Sequence, residues 1–182
     1  QQGNGTFSVW GTGSYHAFTS LQALLALGLA QQNGLEVGNA LELARGWAQS
    51  QNAGTAPEPH LAVLSALASY VCGHVYREFT GVGYLPQTAP LEAVALALPA
   101  LAQSDAIRAK EFAQVLSQRL VVSGATARAE AEPFPQAPEV FYSRGRLQAW
   151  SLLGWVQSGG DGAMAARLTR GLLGGRIQGR WR

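Results

Sequence analysis

Residues 59–72 read PHLAVLSALASYVC and residues 90–101 read PLEAVALALPAL, and these two stretches decide the fold class. Both are dominated by Ala and Leu, which favour helices, and both begin with a proline, which the first turn of a helix tolerates. Across the whole chain, 30 Ala and 24 Leu stand against 12 Val and 2 Ile. Because β-branched residues favour strands and are scarce here, the sequence predicts an all-α protein.

The spacing of apolar residues predicts seven helices, separated by segments rich in Gly and Pro. Their approximate ranges are 14–31, 36–50, 59–72, 90–101, 104–122, 143–157 and 162–173. Ser104, Ser143 and Asp161 are the expected N-caps of the last three helices, because short polar side chains there accept bonds from free backbone N–H groups. Pro99 is expected to kink or end the fourth helix, since it lacks an N–H. Residues 123–141 are predicted to be a surface loop and not a strand.

The distribution of apolar residues also predicts how the helices are arranged. The first, third and sixth helices are apolar on several sides, which is typical of enclosed helices, whereas the second, fifth and seventh have one apolar face. This alternation fits two layers of helical hairpins, although an ordinary bundle gives the same pattern. The length suits a single core, so we expect one helical domain over residues 1–182.

A Gly-rich stretch that ends in Trp occurs twice. Residues 5–10 (GTFSVW) precede the first helix, and residues 175–181 (GRIQGRW) follow the seventh. If the two stretches are equivalent, another enclosed helix should follow Trp181. We therefore expect the chain to be a piece of a longer helical array, an incomplete ring whose apolar flanks favour self-association.

Charge and hydropathy exclude several classes of partner. The net charge of +2 is too small to indicate nucleic acid binding, and basic and aromatic residues do not interleave. Residues 142–182 contain seven Arg and one Asp, which we interpret as a solvated basic face. No stretch of about 18 residues is free of polar groups, so direct membrane insertion is not expected.

The cysteine and histidine residues that could carry chemistry are few and scattered. Cys72 is the only cysteine, so neither an internal disulfide nor a metal site built on several cysteines is expected. Near His74 it is either a buried small hydrophobe or a reactive thiol, and packing is the favoured interpretation. His16, His60 and His74 lie too far apart in sequence to predict a metal site.

Paired carboxylates, which glycoside hydrolysis needs, are not evident either. Most acids fall on predicted exposed faces or in loops, and none is expected inside an enclosed helix. Asp105 and Asp161 are helix-start residues, where an anion meets the positive end of the helix dipole. The sequence therefore predicts no catalytic, cofactor-binding or metal-binding residue, no cofactor and no enzymatic activity.

Three parts of the chain carry motifs in a fixed order. Residues 2–10 (QGNGTFSVW) form a Gly-rich lead-in with Phe and Trp, followed by an Ala/Leu-rich helix. The middle contains successive helical stretches, namely Leu61–Tyr70, Pro90–Leu101 and Asp105–Leu120. Residues 142–152 follow the pattern Tyr-Ser-x-x-Arg-x-x-Ala-x-x-Leu, and Arg170 to Leu173 and Gly179 to Trp181 complete the set. Together these motifs resemble the thioester-containing helical domain of the bacterial branch of the α2-macroglobulin family.

The resemblance implies an α/α toroid, in which inner and outer helices form two concentric layers. It implies a part in trapping attacking proteases, in the periplasm or outside the cell, with any membrane anchor of the parent protein lying outside this segment. In that family a protease cuts a bait region, the molecule rearranges, and an internal Cys–Gln thioester acylates the attacker. The expected partners are proteases, through the full-length parent, and the remaining domains of that parent.

The thioester motif itself is not found in this sequence. The family motif is Cys-x-Glu-Gln, whereas Cys72 is followed by Gly73, His74 and Val75. No crosslinking residue is therefore carried over, and His60 is only a distant analogue of a residue that assists acyl transfer.

Three functional hypotheses follow from the sequence. The leading one is a non-catalytic scaffold within a protease-trapping inhibitor. The second is an enzyme on an α/α toroid, such as a relative of the terpenoid cyclases or polysaccharide lyases, which a pocket of convergent acids or Tyr and His groups would favour. The third is a helical-repeat interaction module with an open superhelix and a concave groove.

Overall fold

The computed structural model describes residues 3–8, 16–52, 58–130 and 143–176. Over these ranges it contains seven α-helices and one β-hairpin. The helices are α1 (Ala17–Gln32), α2 (Ala40–Ser50), α3 (Pro59–Tyr76), α4 (Leu91–Ser104), α5 (Ala106–Arg119), α6 (Arg144–Gln157) and α7 (Gly162–Leu173). The strands are β1 (Leu120–Ser123) and β2 (Thr126–Ala129). The prediction of an all-α fold is confirmed.

The core is built around two enclosed helices, α3 and α4. Every residue from Ala62 to Gly73 in α3 is buried, as is every residue from Leu91 to Leu101 in α4. Helix α3 packs against α1, α2 and α4, while α4 packs against α3, α5 and α6. Small Ala side chains recur between Leu and Val along both helices, so neighbouring helices can approach closely on several sides.

The predicted set of enclosed helices is right for α3 and wrong for α1 and α6. Helix α1 buries one stripe through Phe18, Leu21, Leu24 and Gly28, and it leaves Leu29 48% exposed. Helix α6 likewise buries a single stripe, and α4 is enclosed instead. An apolar surface permits burial, but the number of neighbouring elements decides how many faces are covered.

The helix caps follow the sequence with one exception. Ser143 caps α6 by accepting from the Arg146 N–H at 3.2 Å, and Asp161 caps α7 by accepting from the Met164 N–H at 2.9 Å. Ser104 was the wrong choice for α5, because it is the last residue of α4. Asp105 caps α5 instead, and its carboxylate accepts from the Arg108 N–H at 3.1 Å.

Helix α4 does not end at Pro99 but runs through it to Ser104. Proline removes one intrahelical hydrogen bond and crowds the preceding turn. Tertiary packing against α3, α5 and α6 overrides this local cost, since every residue from Leu91 to Leu101 is buried. The expectation that the helix could end here was therefore wrong.

Residues 120–129 form a hairpin that the sequence analysis placed partly in a helix and partly in a loop. The strands pair antiparallel, with Leu120 opposite Ala129 and Ser123 opposite Thr126. Gly124 has a φ of +54° in the two-residue turn, a conformation that glycine adopts without steric cost. Two adjacent valines followed by Ser-Gly were the signal for this hairpin. The rest of the predicted loop, residues 131–141, lies outside the described residues.

Arginines of α5 hold the long segment between α3 and α4. The Arg108 guanidinium donates to the Val82 carbonyl at 2.6 Å and to the Tyr84 carbonyl at 2.8 Å. Arg119 donates to the Ala89 carbonyl at 2.6 Å. Hydrogen bonds from a charged donor are stronger than neutral ones, so these contacts fix the path of the segment across the core.

Helices α4 and α6 approach so closely that Gly154 is required at their crossing. A Cβ at this position would overlap the carbonyl oxygen of Ala95. We predict that Gly154→Ala lowers the free energy of unfolding by about 1–3 kcal/mol, because the added methyl overpacks the contact. Urea unfolding followed by circular dichroism measures the change.

Gly46 in α2 provides the matched control, because a Cβ there would have nothing within 4 Å. Gly46→Ala should raise the free energy of unfolding by roughly 0.5–1 kcal/mol, since alanine restricts the unfolded chain. Equal effects of the two substitutions would contradict the close crossing of α4 and α6.

Candidate functional site

An ion pair between a buried carboxylate and a half-buried guanidinium joins α4 to α6. The Glu92 carboxylate accepts from the Arg146 Nε at 2.6 Å and from its Nη2 at 3.1 Å, a bidentate arrangement. Glu92 is 7% exposed, so the expectation that no acid lies inside an enclosed helix was wrong. A buried carboxylate needs a charged and hydrogen-bonded partner, and the partner here is 54 residues away along the chain.

The same arginine also contacts the first helix. The guanidinium carbon of Arg146 lies 4.7 Å from the centre of the Phe18 ring, within the range of a cation–π interaction. Phe18 belongs to α1, Glu92 to α4 and Arg146 to α6. These three side chains are called the ion-pair junction below, because they connect three helices through one guanidinium group.

An aromatic cluster adjoins the ion-pair junction along α6. The Tyr70 ring lies 4.9 Å from Trp150 in an edge-to-face arrangement and 4.2 Å from the His74 ring. The His74 ring lies 6.3 Å from Phe79. Arg146 and Trp150 are four residues apart on α6 and therefore share one face of that helix. The aromatic cluster, defined as Tyr70, His74, Phe79 and Trp150, thus continues the junction by one turn.

Two nitrogen atoms in the aromatic cluster are buried without a hydrogen-bond partner among the described residues. They are the His74 Nε2 and the Trp150 Nε1. Burial lowers the pKa of His74, and the charge of Arg77 lowers it further. Burial also raises the pKa of Tyr70. A neutral imidazole therefore lies beside a protonated phenol at neutral pH, and side chains in those states can accept and donate a proton.

Cys72 is placed in the core rather than in this cluster. It is 2% exposed, and burial together with the charge of Glu78 raises the pKa of its thiol to about 11. A thiol that remains protonated at neutral pH is a poor nucleophile. These observations support the interpretation of Cys72 as a packing residue.

The other two histidines lie at helix starts. His16 precedes α1, and its Nδ1 accepts from the Thr19 N–H at 3.3 Å. The His60 Nδ1 lies 3.5 Å from the Glu58 carboxylate at the start of α3. In the part of the chain that the structure describes, no group of three His, Cys, Asp or Glu side chains is arranged to hold a metal ion.

None of the described helices is long and apolar enough to cross a membrane. The helix-start acids Asp105 and Asp161 both serve as caps, although only Asp161 was predicted as a cap, since Ser104 was expected to cap α5. The functional candidates that the sequence analysis missed are Glu92, Tyr70 and Trp150. Only their spatial partners distinguish them from ordinary core residues.

Comparison with protein-family models and with curated proteins finds no match to this chain.

Removing one charge of the ion-pair junction should lower the free energy of unfolding strongly, whereas removing both charges should lower it little. We predict that Arg146→Met lowers the free energy of unfolding by roughly 3–5 kcal/mol, because the Glu92 carboxylate is left buried and unpaired. Adding Glu92→Leu to that variant should recover most of the lost free energy of unfolding. Chemical denaturation of the two single variants and the double variant measures the coupling.

The exposed pair of Arg45 and Glu78 is the control, in which Arg45 Nε donates to Glu78 Oε1 at 3.0 Å. Arg45→Met should lower the free energy of unfolding much less than Arg146→Met, since solvent screens exposed pairs. If Arg146→Met were no more costly than Arg45→Met, the junction would not be a structural constraint.

The pKa shift of His74 predicts a pH dependence of stability. The folded protein disfavours protonation of His74, whereas the unfolded chain binds the proton near the usual value of 6.5. The contribution of His74 to the free energy of unfolding is therefore fully present above pH 6.5 and declines as the pH falls toward its lowered folded pKa. Denaturation curves at a series of pH values, for the wild type and His74→Phe, isolate this contribution. Parallel pH profiles for the two proteins would contradict it.

Proposed function

We propose that this chain is a non-catalytic helical scaffold in the thioester-domain region of a bacterial protease-trapping inhibitor of the α2-macroglobulin type. One observation carries the proposal. Arg146, from the motif at residues 142–152, binds Glu92 from the middle stretch and packs on Phe18 of the helix that follows the Gly-rich lead-in. Three separate stretches that carry the resemblance therefore meet at one buried contact.

The Gly-rich lead-in supports the proposal because its motif residues have specific structural roles. Gly5 has a φ of +84°, and a Cβ there would overlap the backbone of Ala44 in α2. The Phe7 N–H donates to the Ser20 hydroxyl at 2.9 Å, and that hydroxyl donates back to the Phe7 carbonyl at 3.1 Å. The close approach to α2 therefore requires glycine at position 5, and the backbone of Phe7 attaches the lead-in to α1. Trp10, Tyr142 and Trp181 lie outside the described residues.

Two features of the described residues support a scaffold rather than an enzyme. The Cys72 thiol is buried, and its pKa is raised. The carboxylate of Glu92 is engaged by Arg146, which leaves it unsuited to act as a general acid or base. In this proposal the helices form part of an α/α toroid in the periplasm or outside the cell, and other domains of the parent supply the bait region. The target proteases are contacted through that parent.

The aromatic cluster favours a second candidate, an enzyme built on an α/α toroid. The Tyr70 and His74 rings lie 4.2 Å apart, and these two residue types can serve as an acid and a base. Tyr70→Phe and His74→Gln separate the two candidates. If the protein is an enzyme, each substitution should abolish turnover of its substrate. If it is a scaffold, the parent protein that carries the substitution should continue to trap proteases.

Protease trapping is tested on the full protein that contains this segment. After incubation with a protease, the complex should migrate faster on a native gel because cleavage compacts the inhibitor. The trapped protease should still cleave a small peptide substrate and should resist a large protein inhibitor. The Gly46→Ala protein is the control for the Tyr70→Phe and His74→Gln proteins, and it should trap the protease as the wild type does. If cleavage neither compacts the protein nor shields the protease, the proposed function is wrong.

A further inference from the structure

The chain contains two Asn-Gly pairs, at residues 4–5 and 33–34. In this dipeptide the backbone nitrogen of glycine can attack the side-chain carbonyl carbon of asparagine, because glycine has no Cβ to hinder the approach. The reaction is slower where another residue follows, as at Asn39, which precedes Ala40. The sequence therefore makes Asn4 and Asn33 equal candidates for deamidation, and the surroundings of each pair decide between them.

The second pair lies at the exposed end of α1. Asn33 is the C-cap residue of that helix, and Gly34 follows it with a φ of +82°. Both residues are exposed, and the next residue, Leu35, is 63% exposed. A Cβ on Gly34 would have no described atom within 4 Å. The backbone at this pair can therefore change conformation without displacing a buried side chain among the described residues.

Hydrogen bonds within α1 hold the two groups that would react. The Gly34 N–H donates to the Gln31 carbonyl at 3.0 Å, and the Asn33 Nδ2 donates to the Leu29 carbonyl at 2.7 Å. These bonds must open before the Gly34 nitrogen can reach the side chain of Asn33. Exposed helix ends open locally at a free-energy cost far below that of global unfolding.

Tertiary packing holds the first pair instead. Gly5 and Thr6 are both buried, and a Cβ on Gly5 would overlap the backbone of Ala44 in α2. The Asn4 Oδ1 accepts from the Thr6 N–H at 3.2 Å and from the Thr6 hydroxyl at 2.7 Å. Movement of the Gly5 nitrogen toward the Asn4 side chain would separate the lead-in from α2. That movement costs more free energy than the opening of an exposed helix end.

We propose that Asn33 is a deamidation site selected by the fold, and that its product weakens the attachment of α1 to α3. The selection arises because two identical dipeptides lie in different surroundings, one at an exposed helix end and the other against α2. The inference does not depend on protease trapping, since it uses neither the resemblance nor the ion-pair junction.

The reaction needs only water as a co-reactant. The Gly34 nitrogen loses its proton and forms a bond to the Asn33 Cγ, while the Cγ–Nδ2 bond breaks and that nitrogen leaves as ammonia. Water then adds to one of the two carbonyl carbons of the cyclic imide and breaks the bond from that carbon to the ring nitrogen. Addition at the side-chain carbonyl gives aspartate. Addition at the main-chain carbonyl gives isoaspartate, in which the chain continues through the former side chain.

Both products place a carboxylate at the C-terminus of α1. The last carbonyl groups of a helix carry partial negative charge, so an anion there is destabilising. Each product also lacks the amide that donates to the Leu29 carbonyl. The neighbouring Gln32 Nε2 donates to the His74 carbonyl at 2.8 Å and joins α1 to α3. Fraying of the last turn of α1 therefore removes this contact between the two helices.

Tandem mass spectrometry of the full chain, incubated in mildly alkaline buffer and digested at mildly acidic pH, measures deamidation at each site. Asn33 should deamidate at least about tenfold faster than Asn4, because the two local openings differ in free energy. Isoaspartate, which only the imide route forms, should be among the products at Asn33. Asn39 is exposed and followed by Ala40, so it is the control that should keep its amide. In urea, Asn4 and Asn33 should deamidate at similar rates, since the fold no longer distinguishes them.

Two substitutions at Asn33 test the effect of the product on α1. Asn33→Asp introduces the carboxylate, whereas Asn33→Gln keeps an amide and serves as the matched control. Asn33→Asp should melt at a lower temperature than Asn33→Gln, because its charge opposes the helix dipole. The Leu35 N–H, which donates to the Ala30 carbonyl at 3.0 Å, should also exchange faster with solvent in Asn33→Asp.

The proposal is overturned if Asn33 keeps its amide in the folded chain, or if Asn4 deamidates as fast as Asn33 there. It is also overturned if Asn33→Asp and Asn33→Gln have the same melting temperature and the same exchange rate at the Leu35 N–H.

Discussion

The fold depends on burying one apolar helix, α4, among three others. Its residues Leu91 to Leu101 are all buried, and Glu92 is the only charged residue among them. Transfer of an unpaired carboxylate into such a core would cost more than most single contacts stabilise. The bidentate contact with Arg146 offsets that cost, and it also fixes the rotation of α6 relative to α4. The Phe18 ring packs against one face of the same guanidinium, and this contact positions α1.

Features set by local chemistry could be predicted from the sequence. Helical content follows from the excess of Ala and Leu. Ser143 and Asp161 were recognised as caps because a cap needs only a short polar side chain before an apolar stretch. The prediction of Ser104 as the cap of α5 was wrong because Ser and Asp can both cap a helix, and the cap lies one residue later, at Asp105.

Features set by distant contacts could not be predicted in this way. Glu92 in an Ala-rich stretch is indistinguishable from a surface acid until Arg146 is placed beside it. Helix α1 is as apolar as α3, but fewer elements pack around it. The hairpin was missed because its four-residue strands are short, and because β2 is held by Gln148 rather than by a strong local pattern.

The proposed scaffold role rests on the meeting of three stretches at the ion-pair junction, and that meeting can be observed directly by NMR. In the folded protein, the Nε–H of Arg146 should give a separate resonance that exchanges slowly with water, because it is bound to Glu92 in a buried site. The resonance should disappear from that position in Glu92→Gln, while the Nε–H of the exposed Arg45 exchanges quickly in both proteins. An Arg146 Nε–H that exchanges as fast as that of Arg45, or that is unchanged by Glu92→Gln, would contradict the account.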